Sequence, residues 1–197
     1  MVECKFCNLN KDQIVNTVLD ETDNFIVIPA LGDFVGGYVL IVSKRHLYNM
    51  NELSDLEKEE YWTLIQKYRD IFFNIYGKYP IVFEHGSTKD NESLSSVVHA
   101  HTHVVNYNFH DECDFIDQLN LKCIDSLYDV SYDKSYIFYL SGDNLMYVSY
   151  DYPVISQLVR VLIARDMGID EQYNWKLHEY QENILNTIDL VKQYLAR

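Results

Sequence analysis

The segment VVHAHTHVV, residues 97–105, decides the fold because it places three histidines at strict alternation inside an apolar run. Side chains of a β-strand point alternately to its two faces, so His99, His101 and His103 are predicted to form one row. Neighbours in such a row lie about 6.5 to 7 Å apart, close enough to surround one phosphate or to let one imidazole bind a separate metal ion. The alternative is a surface strand that carries histidines by chance. Three of only seven histidines at this spacing favour a functional site.

The chemistry of this row suits reactions at phosphorus. A neutral imidazole is a good nucleophile near pH 7, because its ordinary pKa of about 6.5 leaves most of it unprotonated. Attack on phosphorus gives a phosphoramidate, and flanking imidazoles or amide N–H groups stabilise the charge on the non-bridging oxygens. The residues therefore predict a two-step displacement that passes a nucleotidyl group to water or to another acceptor.

Length, composition and charge restrict the class of protein. The 197 residues are enough for one domain of ordinary size, and a 48% hydrophobic composition is sufficient for a core. No secretory leader and no apolar run near the roughly 18 residues of a membrane span are evident, so we expect a cytoplasmic protein without a membrane partner. A formal net charge of −14 disfavours nucleic acid, which clustered Lys and Arg normally bind. A small phosphate-bearing ligand and a homodimer both remain open.

The hydrophobic pattern predicts the elements around the histidine row. Ser54 and Glu57 have capping-box spacing, and apolar residues then repeat at helical intervals up to Gly77. An acidic stretch, 108–134, is interpreted as a solvated helix or connector. The predicted strands are 25–29, 37–42, 81–84 and 97–105, with a hairpin at 137–140 and 145–150, and the predicted helices are 55–76, 154–167 and 176–196.

A second motif, CKFC at residues 4–7, has the spacing of a metal or redox site. Two thiolates from one turn supply half of the four tetrahedral ligands that zinc prefers. The remaining cysteines, Cys113 and Cys123, have no comparable arrangement and are predicted to be buried or partly buried free thiols.

Three motifs together resemble the histidine-triad (HIT) superfamily over about residues 3–107: HxHxHVV, the segment LIVSKRH at 40–46, and CKFC. The resemblance implies an α+β fold, with an antiparallel sheet of about five strands, a long helix packed on it, and C-terminal helices. It divides the chain into a HIT catalytic core, 1–107, and an extension, 108–197. The extension, comprising the acidic connector, the hairpin and the terminal helices, is expected to pack on the core as one globular unit.

The resemblance also implies roles for individual residues. The middle histidine of the family motif is the nucleophile, which corresponds to His101, and the last contacts phosphate, which corresponds to His103. Ser96 corresponds to a serine that assists phosphate or the leaving group. The chain departs from the family at 93–95, where Ser-Leu-Ser replaces a common Gly-Gly-Gln run, and this leaves the acceptor open.

Zinc-containing relatives take their ligands from positions that correspond here to Cys4, Cys7, His46 and His99. Such a zinc ion would be structural, because four protein ligands leave no position for water. Reduced cysteines without metal are the alternative. His85 is either a substitute ligand, a pocket residue or a loop histidine.

Nucleotide recognition is expected from two regions. The base would lie against Phe25, Ile28 and Leu31, and Asp33 would bind the ribose because Ala30 occupies the position that is acidic in many relatives. Near the start of a later helix, Gln157 and Arg160 share a face and are predicted to bind a second phosphate. An ordinary amphipathic helix with a solvated or paired arginine is the alternative for that region.

The leading hypothesis is a nucleotide hydrolase that cleaves a nucleoside phosphoanhydride, a phosphoramidate or a dinucleoside polyphosphate through a nucleotidyl-histidine intermediate. A nucleotidyl transferase or phosphorylase, with phosphate or sugar phosphate as acceptor, is the first alternative. A nucleotide-binding module without catalysis is the second.

Overall fold

The structure is a computed structural model that describes residues 4–10, 12–89, 97–131, 133–153 and 155–197. Within these residues, one antiparallel sheet of eight strands carries helices on both faces. The strands are β1 (Asp20–Glu21), β2 (Phe25–Pro29), β3 (Tyr38–Ser43), β4 (Ile81–Gly86), β5 (His101–Val105), β6 (Lys122–Ile124), β7 (Tyr136–Leu140) and β8 (Met146–Ser149). The helices are α1 (Asp55–Tyr76), α2 (Glu112–Gln118), α3 (Leu158–Asp166) and α4 (Gln181–Leu195).

The histidine strand β5 lies inside the sheet, whose order is β1-β2-β3-β5-β4-β7-β8-β6. His103 has Leu40 of β3 on one side and Phe83 of β4 on the other. The α+β prediction is confirmed, but the sheet has eight strands rather than about five. The strands that the sequence pattern did not predict are β1, which precedes the first predicted strand, and β6, whereas β7 and β8 form the predicted hairpin and continue the sheet beyond β4.

Helix α1 covers one face of the sheet. Its first turn has the predicted capping box, in which the Ser54 side chain accepts from the Glu57 backbone, and Gly77 ends it in the left-handed conformation at φ 77°. Alternation directs Val104 and Thr102 of β5 toward this helix, where the Tyr61 hydroxyl lies 2.6 Å from Thr102 Oγ1. Helix α4 packs on the same face.

Helix α3 packs on the opposite face, against Leu40 and Phe83. It begins after Gln157, whose backbone is left-handed at φ 59°, rather than at 154. Likewise α4 begins at Gln181 rather than 176, and the acidic stretch contains both α2 and β6. The predicted strand 97–105 is regular only from His101.

The remaining predictions concern the two later cysteines, membrane helices and the domain boundary. Cys113 and Cys123 are exposed, so the prediction of buried thiols was wrong. In the described part of the chain, no helix is both long and apolar enough to cross a membrane. The division at residue 107 stays a prediction, although β7 of the second part pairs directly with β4 of the first.

Candidate active site and metal centre

Strand β5 directs His101 and His103 to the face that carries α3, with ring centroids 4.9 Å apart. His99 precedes the strand and is only 2% exposed, and its ring lies beside the two cysteines of CKFC. The predicted row of three is therefore divided. Two imidazoles stay side by side, and the third belongs to a different cluster.

The hydrogen bond of His101 identifies its tautomer. Its Nδ1 lies 2.6 Å from the carbonyl oxygen of His99. A carbonyl can only accept, so Nδ1 carries the proton and Nε2 has a free lone pair. Burial lowers the pKa of His101 to about 4, which keeps the ring neutral near pH 7.

His103 has different neighbours. Its ring stacks on Phe83, with centroids 4.3 Å apart and an interplanar angle of 8°, and its Nδ1 lies 2.7 Å from the Tyr38 hydroxyl. Burial, followed by the charges of His101 and Arg160, lowers the pKa of His103 well below its ordinary value. This ring is therefore also neutral near pH 7.

The two histidines line a cavity of about 430 Å³, the size of a small-ligand site. One part of its wall is apolar and includes Ile28, Leu31, Leu40, Phe83 and Val159. Its polar lining includes Lys5, His85, Gln157, Arg160 and Trp175. The cavity thus combines an apolar surface with cationic and hydrogen-bonding groups around the imidazoles.

The structure brings only some of the predicted nucleotide-binding residues to this cavity. Ile28 and Leu31 line it. Phe25, three residues before Ile28, points to the opposite face of β2, where its ring lies 5.8 Å from that of Tyr61 under α1. Ser96 lies outside the described residues.

Asp33 is also not among the residues that line the cavity. It is completely buried, and its carboxylate accepts from the backbone N–H groups of Gly36 and Gly37, at 2.8 and 3.1 Å, and from Thr187 Oγ1 at 2.8 Å. Burial raises the pKa of this carboxyl against these hydrogen bonds. In the structure, Asp33 therefore joins the β2–β3 turn to α4 instead of facing a ribose site.

Gln157 and Arg160 both line the cavity, although Gln157 precedes α3 and does not share a helix face with Arg160. The Oε1 atom of Gln157 is buried and has no hydrogen-bond partner among the described residues. The Arg160 guanidinium donates to the carbonyl of Gly32 at 2.6 Å and to that of Tyr173 at 2.8 and 3.1 Å. Arg160 is therefore held by carbonyls and not by an acidic side chain.

His85 is a cavity residue and is not in the donor cluster around CKFC. Its Nε2 lies 2.9 Å from the Tyr152 hydroxyl, and burial lowers its pKa to about 4. Sequence reasoning missed Tyr152 and Tyr38. The Tyr38 signal was available: two residues before Leu40 on β3, it shares the face that lies beside His103.

Four potential zinc donors converge between CKFC, the end of β3 and the start of β5. The donor atoms of Cys4, Cys7, His46 and His99 all lie within 4.8 Å of one another. Three sulfur–nitrogen distances are 3.3, 3.3 and 3.5 Å, close to the roughly 3.5 Å that tetrahedral zinc imposes on such a pair. His99 Nε2 lies 2.7 Å from the Ser43 carbonyl, so it donates there and leaves Nδ1 free for a metal. The four residues fit a structural zinc ion.

Comparison with known proteins gives a family for this arrangement. Residues 3–117 match the family model described as "Scavenger mRNA decapping enzyme C-term binding", a HIT-family domain. This segment is more than half of the chain and contains CKFC, LIVSKRH and the histidine strand. A comparison with curated proteins found no match.

Several solved structures are similar. A Hit-like protein from Bartonella henselae is 16% identical, with a TM-score of 0.38; the match covers 45% of this chain and 63% of that one, less than two thirds of its length. A Zn-bound histidine triad family protein from Mycobacterium smegmatis is 18% identical over 55% of this chain and 78% of that one, with a TM-score of 0.44. A HIT family hydrolase from Clostridium thermocellum is 18% identical over 56% of this chain and 96% of that one, with a TM-score of 0.42.

Because all three TM-scores lie below 0.5, the assignment depends on the family model and on the motifs that it covers. The matched residues carry both the paired imidazoles and the four-donor cluster. The chain therefore belongs to the histidine-triad superfamily.

Proposed function

We propose that this protein is a HIT-type nucleotide hydrolase that acts through a nucleotidyl intermediate on His101. The observation that carries the proposal is the 2.6 Å contact between His101 Nδ1 and the His99 carbonyl. It leaves the Nε2 lone pair free on a residue that lines a cavity of ligand size. A neutral imidazole needs no separate base before it attacks phosphorus.

The reaction has two displacements. First, the Nε2 lone pair forms a bond to the α-phosphorus, and the bond from phosphorus to the leaving group breaks with its electron pair going to that group. In the second step water forms a new phosphorus–oxygen bond, the N–P bond breaks, its electrons return to Nε2, and the proton lost by the water passes to solvent. His103, 4.9 Å away between centroids, is positioned to donate to a non-bridging oxygen in both steps.

The shape of the cavity supports a nucleotide rather than inorganic phosphate. The apolar wall formed by Ile28, Leu31 and Leu40 suits a base, while Gln157 and Lys5 lie among the polar residues that suit phosphates or a leaving group. Zinc at the four-donor cluster would tie the N-terminal segment to the start of β5 and supplies no reaction step.

Intermediate trapping tests the proposal. Purified protein is incubated with adenosine 5′-phosphoramidate, a diadenosine polyphosphate or a cap dinucleotide, quenched in alkali, and measured by intact mass. The cap dinucleotide is included because of the description of the matching family. We expect an adenylyl or corresponding nucleotidyl adduct that maps to His101 and is absent from His101→Ala.

Turnover in ¹⁸O-labelled water identifies the acceptor. Label in the released nucleoside monophosphate is the result expected of a hydrolase. If the nucleotidyl group were instead transferred to added phosphate or sugar phosphate, without label from water, the protein would be a transferase or phosphorylase and not a hydrolase. Nucleotide binding without turnover or adduct across the panel would leave only a binding module.

A further inference from the structure

We propose that Tyr38 and Arg160 are positioning residues that hold His103 in the tautomer opposite to that of His101. His103 then presents Nε2–H as a hydrogen-bond donor beside the unprotonated Nε2 of His101. The use of this donor toward phosphate rests on the proposed function. The tautomers themselves do not, and they can be measured without a substrate.

The contacts form a chain from α3 to β5. The Tyr38 hydroxyl lies 2.7 Å from His103 Nδ1, and Tyr38 is completely buried. The Arg160 guanidinium carbon lies 5.3 Å from the centroid of the Tyr38 ring. Burial raises the pKa of Tyr38 to about 12, while the positive charge of Arg160 acts in the opposite direction.

The direction of the Tyr38–His103 hydrogen bond follows from the charge beside it. The guanidinium of Arg160 has only N–H groups and is positively charged, so it favours the arrangement in which the phenolic proton of Tyr38 points away from it. The single phenolic proton then remains for His103 Nδ1, and the adjacent positive charge makes this hydroxyl a stronger donor. A neutral His103 whose Nδ1 accepts carries its own proton on Nε2.

Arg160 is held by the carbonyls of Gly32 and Tyr173 and lies over the Tyr38 ring, without an acidic partner in the described part of the chain. It is 5% exposed, and no acidic side chain among the described residues lies within ion-pair distance of it. A buried charge without a counterion is unfavourable unless hydrogen bonds or a function compensate. Arg160 belongs to α3, outside the matched residues 3–117, so the C-terminal part of the chain contributes to the orientation of a family residue.

Two-bond ¹H–¹⁵N correlation spectra of ¹⁵N-histidine-labelled protein test the tautomers directly. We expect protonated Nδ1 on His101 and protonated Nε2 on His103, the latter assigned by its loss in His103→Gln. Tyr38→Phe, which removes one oxygen, is expected to shift His103 toward the Nδ1–H form. Protonated Nδ1 on His103 in the native protein, or an unchanged spectrum in Tyr38→Phe, would overturn the proposal.

Tyr61→Phe is the matched control, because Tyr61 also bonds β5 through its hydroxyl, but to Thr102 on the opposite face. It should lower stability without changing the tautomer of His103. If Tyr61→Phe changed the tautomer as Tyr38→Phe does, the effect would come from the stability of the strand and the proposal would fail.

Kinetics with whichever substrate forms the His101 adduct provides the second readout. We expect Tyr38→Phe to lower kcat about 10-fold with little change in KM, since removal of a complete transition-state donor costs about 10²- to 10³-fold. In the Tyr38→Phe background, Arg160→Met should lower kcat by no more than a further factor of about two, because both residues act through the Nε2 proton of His103. If the two substitutions lowered kcat independently, so that their effects multiplied, or if Arg160→Met only raised KM, Arg160 would instead be a direct substrate contact. Absence of turnover with the expected tautomers would reject the proposed function and leave the positioning intact.

Discussion

His101 and His103 are the same side chain two residues apart, and their Nδ1 partners give them different chemistry. A carbonyl oxygen faces Nδ1 of His101, whereas a hydroxyl faces that of His103. An acceptor at Nδ1 leaves a lone pair on Nε2, and a donor at Nδ1 leaves a proton there. Under the proposed function, the atoms that face Nδ1, more than the motif itself, therefore determine which histidine attacks phosphorus.

Removal of the His101 imidazole gives the first prediction at this scale. We expect His101→Gly to lower kcat at least about 10³-fold, because no other group replaces a nucleophile that forms a covalent intermediate. Added imidazole should restore part of the turnover by attacking from the vacated position. His110→Ala, an exposed histidine paired with Asp166, is the control and should keep native kinetics. Native turnover by His101→Gly without imidazole would contradict the covalent mechanism.

Glu84 gives a prediction for stability against pH. It is 2% exposed, accepts from the Met50 N–H at 2.8 Å and the Tyr136 hydroxyl at 2.5 Å, and burial raises its pKa to about 7 from 4.5. A raised carboxyl pKa means that the folded state binds the proton more tightly than the unfolded state. The stabilisation that protonated Glu84 adds to the free energy of unfolding is therefore complete below pH 4.5 and is lost as pH rises through about 7.

Chemical denaturation from pH 4.5 to 8 measures this contribution. Relative to Glu84→Gln, which keeps a carbonyl oxygen and adds N–H donors, the native protein should lose roughly 2 to 3 kcal/mol of unfolding free energy across that range. A difference that stays constant with pH, or that grows in favour of the native protein, would contradict the raised pKa.

The grouping of residues was predictable where a motif fixes both residue type and spacing. The four-donor cluster follows from CKFC and the histidines that the resemblance indicated. Asp33 was not predictable in the same way, because its carboxylate is taken by two backbone N–H groups and by Thr187, which is 154 residues away in sequence. Phe25 and Ile28 were assigned to one pocket although three residues separate them on a strand, and this places them on opposite faces.

At the scale of elements, the CKFC segment has little core of its own. Cys7 is exposed and Cys4 is half-buried, so their attachment to β3 and β5 depends on the contacts with His46 and His99. Phe6, between the cysteines, lies 5.1 Å from the His101 ring. A metal ion at the cluster would therefore fix the segment that lies against one side of the His101 imidazole.

Metal removal tests this element. We expect one zinc ion per chain by elemental analysis, and a lower Tm after chelation, corresponding to about 3 kcal/mol at zinc concentrations near 100 times Kd. The Cys4→Ser/Cys7→Ser variant should lose the zinc and its response to chelator. Cys113→Ser, an exposed cysteine outside the cluster, should keep both. An unchanged Tm on chelation of a zinc-loaded sample would reject a structural metal.

The elements themselves were predictable to different degrees. Helix α1 matched its predicted bounds because the capping box and Gly77 mark both ends locally. The start of α3 differs from its predicted position, because Gln157 adopts the left-handed conformation at φ 59°, which its residue type does not indicate. Strand β6 has three residues and, among the described strands, pairs only with β8, so its formation depends on a distant partner and not on local sequence.

At the scale of the whole molecule, the sheet continues past the family-matched segment. Strand β4 pairs with β5 on one side and with β7 on the other, over five register positions from Val82 to Gly86. Arg69 of α1 donates to the carbonyls of Ser141 and Gly142, which follow β7. The residues beyond 117 therefore complete the hydrogen bonding of the segment that precedes them.

This continuity predicts that the matched segment does not fold alone. A fragment of residues 1–117 would leave β4 as an unpaired six-residue edge, with buried Ile81 and Phe83 uncovered and the guanidinium of Arg69 deprived of two of its three carbonyl acceptors. Exposed, apolar strand edges favour aggregation, and an unsatisfied buried cation is strongly destabilising. We expect the fragment to be insoluble or to unfold without cooperativity by circular dichroism, and co-expression with residues 118–197 to recover soluble protein. A monomeric 1–117 fragment with a sharp thermal transition would show instead that the boundary near residue 107 separates an independent core from an appendage.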